Sequence, residues 1–247
     1  MHRSFDPYRP PKFNLFNFGL AAFIVYGFVV YRYTFNFPYL DDFDAILRFL
    51  NQYSLTHGVD SFLMLAGQHN EHRVFLTHLF AVIALKTLGN VNFSALVFLG
   101  NLGWLLVIAV FWRYAKHHAI SFVEFLPIPI VLLSFSHWGM MTWAMTSIQQ
   151  YWQILFCLLC IFNLCSRRNF FAILFFIAAI FTGGGGLVLA PLIALYFFSK
   201  RQWMQLIYTV FLICTLLFVY FYALPYTPPG ASKLFDSIAH PLRFLAF

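Results

Sequence analysis

The 247-residue chain is 62% hydrophobic, 9% charged and carries 34 Phe, a balance that excludes a water-soluble globular domain and a disordered one and indicates an integral membrane protein. Its formal charge of +7 argues little for nucleic acid, because Lys and Arg stand at the ends of apolar segments, where they set topology. Several apolar runs approach the ~20 residues that cross ~30 Å of hydrocarbon, so residues 1–247 read as a single all-α transmembrane domain, a polytopic helical bundle.

Arg3, Arg9 and Lys12 precede a long apolar run without a small-x-small cleavage site, the pattern of a signal anchor. Residues 1–12 are therefore expected to be a cytoplasmic tail and residues 13–35 a first span running outward. Residues 36–90 then form an external loop. It opens with "YLDDFDAILRFLNQY", Tyr39 to Tyr53, where Phe43, Ile46, Leu47 and Leu50 follow i, i+3, i+4, i+7 spacing. This predicts an amphipathic helix in the interface, with Asp41, Asp44, Arg48 and Asn51 on another face. Asp41 and Asp42 stand at its start, where the helix dipole favours carboxylates, and Asp44 is placed to pair with Arg48. Capping explains one Asp well; it does not require two adjacent ones.

The next polar stretch, "GQHNEHR", brings together His69, Glu71, His72 and Arg73. It lacks the HExxH zinc pattern, and a solvated helix start accounts for most of it. Arg73 is more pointed, because an external guanidinium can hold a phosphate bidentately. Residues 72–89 follow, "HRVFLTHLFAVIALKTLG". If they crossed inward, the next span would bring Arg113 and Lys116 out on the external side, so they are expected to form a second interfacial helix.

Residues 91–112 then run inward, 121–138 outward and 151–165 inward, which puts Arg113 with Lys116, and Arg167 with Arg168, on the cytoplasmic face. Cys157, Cys160, Cys165 and Cys214 lie in or at the edge of apolar segments and read as small buried hydrophobes. Between Arg168 and Lys200 lie about thirty residues broken by Gly183 to Gly186. One span would separate the flanking basic clusters and two full spans would need ~40 residues, while each glycine costs a helix about 1 kcal/mol relative to Ala. A short hairpin is predicted, turning at glycines free to adopt left-handed conformations, its backbone shielded by protein or a cavity open to the outside. Residues 203–224 return outward, giving about six crossings, two of them in the hairpin. Residues 225–247, with Pro225, Pro228 and Pro229, form an external loop ending as a new apolar element begins, which reads as a truncated or interfacial helix.

In order, these features are a cytoplasmic N-terminus, one span, an external loop opening with "DDFDAI", two interfacial helices, an inward second span and the broken "TGGGGLVLAPLIAL" hairpin. Together they resemble the GT-C glycosyltransferases. These are membrane enzymes that use polyprenyl-phosphate-linked sugars, and "QHNEHRVFLTHL" is similar to the start of the second interfacial helix in several bacterial members. The resemblance implies a multi-pass protein of the plasma (inner) membrane, embedded among membrane lipids, that transfers sugar from a polyprenyl-phosphate donor to a hydroxyl of a lipid, glycan or protein acceptor. It implies Asp41 as general base, with Asp42 beside it, and a donor and phosphate site drawn from Glu71, His72, Arg73 and Lys86, or less securely Lys233 or Arg243. Trp138, Trp143 and Trp152 could stack on a sugar, or belong to an interfacial aromatic belt. No cofactor is fixed, and a divalent metal stays open. Two other classes fit the same pattern: a flippase for a lipid-linked saccharide, with the glycine hairpin as a discontinuous substrate helix, and a truncated or non-catalytic assembly subunit.

Overall fold

The computed structural model describes residues 15–224, with side chains from Gly19 onward. The expected tail at 1–12 and the segment 225–247, with Lys233 and Arg243, lie outside these residues. Four helices, Phe93–His117, Phe122–Met141, Ala144–Cys165 and Trp203–Ala223, are long and apolar enough to cross a membrane. The one sheet among the described residues has two strands of two residues each. The chain is an all-α membrane protein.

Helix α1 (Leu15–Tyr33) can be followed by what it touches. Gly19 lies against Leu126, the Tyr26 hydroxyl donates to Asn101, and beyond the helix Asn36 accepts from the Phe93 backbone at 2.8 Å. It therefore rises alongside α5 (Phe93–His117), which descends. Asn92 caps α5 by accepting from Ala95 N at 2.9 Å, and Lys116 and His117 close its far end, both favourable to the helix dipole.

Helix α9 (Ala144–Cys165) runs parallel to α5: Gly100 faces Ser147, Gly103 faces Trp152 and Phe111 faces Phe162. Parallel neighbours require the intervening chain to return to the first end. It does so in pieces, α6 (Phe122–Phe125), α7 (Pro127–Leu132), a 3-10 turn and α8 (Trp138–Met141). The segment expected to run outward at 121–138 is therefore present, at Phe122–Met141, but broken within: Pro127 and Pro129 remove donors, and Ser134 is extended, with ψ 156°. Carbonyls within the broken segment find side-chain donors, Trp104 Nε1 on Leu132 O at 2.7 Å and Asn101 Nδ2 on Met141 O at 2.8 Å, as backbone away from water requires. The helix predicted at 151–165 starts seven residues earlier, at Ala144.

The glycine run breaks the chain as predicted. Helix α10 (Asn169–Thr182) ends at extended Gly183, a 3-10 turn covers Gly184–Val188, and α11 (Leu189–Ser199) follows. The Tyr196 hydroxyl donates to Leu164 O at 3.2 Å, just before the Arg167–Arg168 corner, so α11 has come back to the level where α10 began. The reason for glycine differs from the expected one. None of the four takes a left-handed conformation; instead a Cβ on Gly186 would lie 2.5 Å from Ala179 C and 2.6 Å from Ile180 N, backbone atoms that cannot give way. Helix α12 (Trp203–Phe218) then rises, and a π-helical turn, Val219–Ala223, completes it.

The loop between α1 and α5 folds over one end of this bundle. Residues Phe43–Arg48 form a π-helical turn that continues into α2 (Phe49–Ser54). The wider turn shifts the buried face from the predicted Phe43, Ile46, Leu47 and Leu50 to Ala45, Ile46, Phe49 and Leu50, leaving Phe43 and Leu47 exposed. After α3 (Val59–Leu65), a β-hairpin pairs Gln68 with Arg73 and His69 with His72. Helix α4 (Phe75–Leu88) is 14 residues long, about 21 Å, shorter than the hydrocarbon core. It begins beside Tyr220 and ends near Asn92, both at the loop end, packing on the loop helices and on α9 and α10.

Candidate functional site

The two adjacent acids at the start of the loop have separate fates. Asp42 is buried, 1% exposed. Its Oδ1 accepts from Met145 N at 2.8 Å and its Oδ2 from Tyr39 N at 3.1 Å. It caps no orphan amide of the helix it begins; it satisfies one at the start of α9, joining loop to bundle. Asp41 instead remains open, its side chain 45% exposed and 3.7 Å from His69 Nε2. Fixing Asp42 fixes the backbone of its neighbour.

Burial pushes the Asp42 carboxyl up to about 6, with the Met145 and Tyr39 amides opposing the rise. A folded-state value above the unfolded ~3.9 means the native protein binds the proton more tightly. This contribution to stability is complete below pH ~4 and is lost as pH rises through about 6, amounting to about 2–3 kcal/mol. Thermal unfolding of the purified protein should show that decline between pH 4 and 7, and Asp42→Asn should flatten it; an unaltered slope in the variant would exclude Asp42 as its source.

The hairpin holds the other polar groups. His69 faces Asp41 and lines a cavity of about 380 Å³ with Asp44, Arg48, Gln52 and His78. Asp44 and Arg48 form the expected exposed pair, at 3.6 Å. His78, legible in the sequence only as a polar residue of the second interfacial helix, is stacked on Phe49 at 3.7 Å between ring centres, and its Nδ1–H donates to Leu65 O at 3.0 Å. Burial lowers its pKa to about 4, so the ring is neutral at physiological pH. His72, across the ladder from His69, lies at a second cavity of about 310 Å³ lined also by Gln149, Gln153, Gly184 and Gly185.

Arg73, expected to face a ligand's phosphate, is turned to backbone carbonyls at the edge of a cavity of about 600 Å³ lined also by Asp60 and Gln68. It is 1% exposed. Nε donates to Tyr220 O at 3.0 Å, Nη1 to Ala66 O at 2.7 Å, and Nη2 to Tyr220 O and, at 3.2 Å, to Leu224 O. Its plane also lies 5.0 Å from the Tyr220 ring centre, so the residue expected to hold phosphate fastens the loop to the end of α12. Glu71 is exposed at the hairpin turn. Lys86 is exposed at the far end of α4, its ammonium 5.9 Å from the Tyr53 ring centre. Asp41 is thus brought to His69, and His72 to the glycine turn, but Arg73 and Lys86 do not join them in one cluster.

Of the tryptophans, Trp138 is exposed, Trp143 stands edge-on to Tyr39, and Trp152 donates to Leu99 O between α5 and α9 at 2.9 Å. Among the described residues no three His, Cys, Asp or Glu side chains form a group able to hold a metal ion. Arg48, Gln149 and Gln153 were not visible as site candidates: Arg48 reads as a salt-bridge partner, and a glutamine in an apolar helix gains meaning only from the cavity it faces.

The class defined by this fold is a helical membrane protein whose first loop gathers Asp41, Asp42, Asp44, Asp60 and Glu71 at one end of the bundle, with Glu124 capping α6 at the other. Compared with protein-family models, curated proteins and solved structures, the chain gives no match.

Proposed function

We propose that the protein is a membrane glycosyltransferase of the GT-C kind, moving a sugar from a polyprenyl-phosphate donor to an acceptor hydroxyl at the loop-bearing end of the bundle. In this reading it sits in the plasma membrane with a cytoplasmic N-terminus and the loop outside. The observation that carries it is the division between the paired acids: Asp42 is anchored in the bundle, and Asp41 is held open beside His69. An ionised Asp41 takes the acceptor hydroxyl's proton as its oxygen attacks the anomeric carbon; the bond from that carbon to the phosphate oxygen breaks, and polyprenyl phosphate leaves with the electron pair. With Arg73 engaged by carbonyls, the leaving phosphate is met by Arg48, exposed at the His69 cavity. Its exposed pair with Asp44 is worth only about 0.3–0.5 kcal/mol, so it exchanges partners readily.

Membranes carrying the chain should transfer radiolabelled sugar from at least one member of a panel of polyprenyl-phosphate donors, and release polyprenyl phosphate in equal amount. Absence of transfer from every donor, with the protein folded, counts against the reading. The topology has its own test. With the four native cysteines replaced, single cysteines at Leu88 and Asn90 should react with an impermeant thiol reagent from outside, and one at Lys200 only after permeabilisation. Labelling of Asn90 from the cytoplasmic side alone would reverse the loop's placement.

A further inference from the structure

The cavity at the glycine turn contains polar groups that the fold leaves unused. Gln149 and Gln153 are 4% and 7% exposed and lie one helical turn apart on α9, lining the cavity with His72, Gln150, Gly184 and Gly185. Among the described residues, neither buried amide side chain nor the His72 ring hydrogen-bonds to protein. Their polar atoms open onto the cavity instead of being sealed in protein. Two amides and an imidazole lining one void suit an occupant that both donates and accepts.

The glycines keep that void open. A Cβ on Gly184 would stand 2.5 Å from His72 Nδ1, and one on Gly185 2.5 Å from Gln153 Nε2, so any other residue there pushes into the groups that line the space. A side-chain amide, with two N–H donors and a carbonyl acceptor, matches neighbouring sugar hydroxyls. No Lys, Arg, Asp or Glu is among the lining residues, so neither a sugar carboxylate nor a free ammonium would find an opposite charge. At about 310 Å³ the cavity lies at the small end of the ~300–1,000 Å³ typical of ligand sites. That suits one sugar ring and excludes a polyprenyl chain.

We propose that this cavity holds the glycosyl ring of the donor, and that the transferred sugar is neutral. The inference rests on the transferase reading and adds its substrate class. The two cavities then meet at the His69–His72 rung of the hairpin, with His69 at the one beside Asp41 and His72 at the one that holds the ring.

The test is equilibrium binding of radiolabelled polyprenyl-phosphate donors to the full chain in lipid nanodiscs, with Asp41→Asn present throughout to suppress turnover. The donors carry neutral sugars (glucose, mannose, galactose, arabinose), glucuronate or 4-amino-4-deoxyarabinose. At least one neutral donor should bind about tenfold or more tightly than both charged ones, and Gln153→Leu should weaken it about tenfold. Gln150→Leu, nearer the rim, should act in the same direction with a smaller loss, and decides the matter if Gln153→Leu does not fold. Equal binding of the neutral donor by parent and variants, or preference for a charged donor, overturns the subsite and leaves the transferase reading standing. Failure of all donors to bind the parent overturns both.

Discussion

Asp41→Asn is expected to lower turnover by about 10²–10⁴ with little change in donor affinity, because the amide keeps the carboxylate's shape but cannot take the acceptor's proton. The geometry makes this substitution unusually clean. The backbone at this position is held by Asp42, whose bonds to Met145 N and Tyr39 N do not involve the Asp41 side chain. The variant should therefore fold as the parent does, and steady-state kinetics should place the loss in kcat rather than in KM. A parallel rise in KM would mean that Asp41 binds substrate instead of activating it.

The second large effect is structural. Arg73→Met should lower stability by about 2–4 kcal/mol, because it strands the buried carbonyl of Tyr220 and removes the partner of the half-buried carbonyls of Ala66 and Leu224. It should also loosen the end of α12 from the hairpin, read as faster proteolysis at the loop end of that helix. Arg73→Lys restores the charge but not the planar fork, and should recover only part of the loss. Stability equal to the parent's would mean that these carbonyls find other partners, and that Arg73 is free to serve a ligand after all.

The membrane class and the order of helices were legible because apolar length and basic ends are properties of the chain alone. A helix within residues 72–89 was legible as an apolar stretch short for a span, and it is found at Phe75–Leu88; its expected place in the interface is what would leave Arg113 on the same side as Arg3, Arg9 and Lys12. Side-chain partners were another matter. Asp41 and Asp42 are neighbours in sequence and alike in chemistry, and what separates them is Met145, more than a hundred residues away. Arg73 invited a phosphate role because its partners, at Tyr220 and Leu224, are equally distant. The loop helix's buried face was misread since heptad-like spacing assumes an α-helix, and a π-turn rotates the face. The glycines were rightly taken as a break, but for the wrong reason, because contact with the Ala179 backbone is a tertiary fact.

The measurement that bears most directly on Asp41 as general base is the rate of sugar transfer by purified wild type, Asp41→Asn and Asp44→Asn, run together with one confirmed donor. Asp44 lies on the same turn, is exposed and pairs with Arg48, so its neutralisation removes a charge at the loop, and frees Arg48, while leaving the Asp41 base in place. A loss of about 10²–10⁴ is expected in Asp41→Asn, with near-parental turnover in Asp44→Asn. Equal rates for wild type and Asp41→Asn would rule out Asp41 as the base.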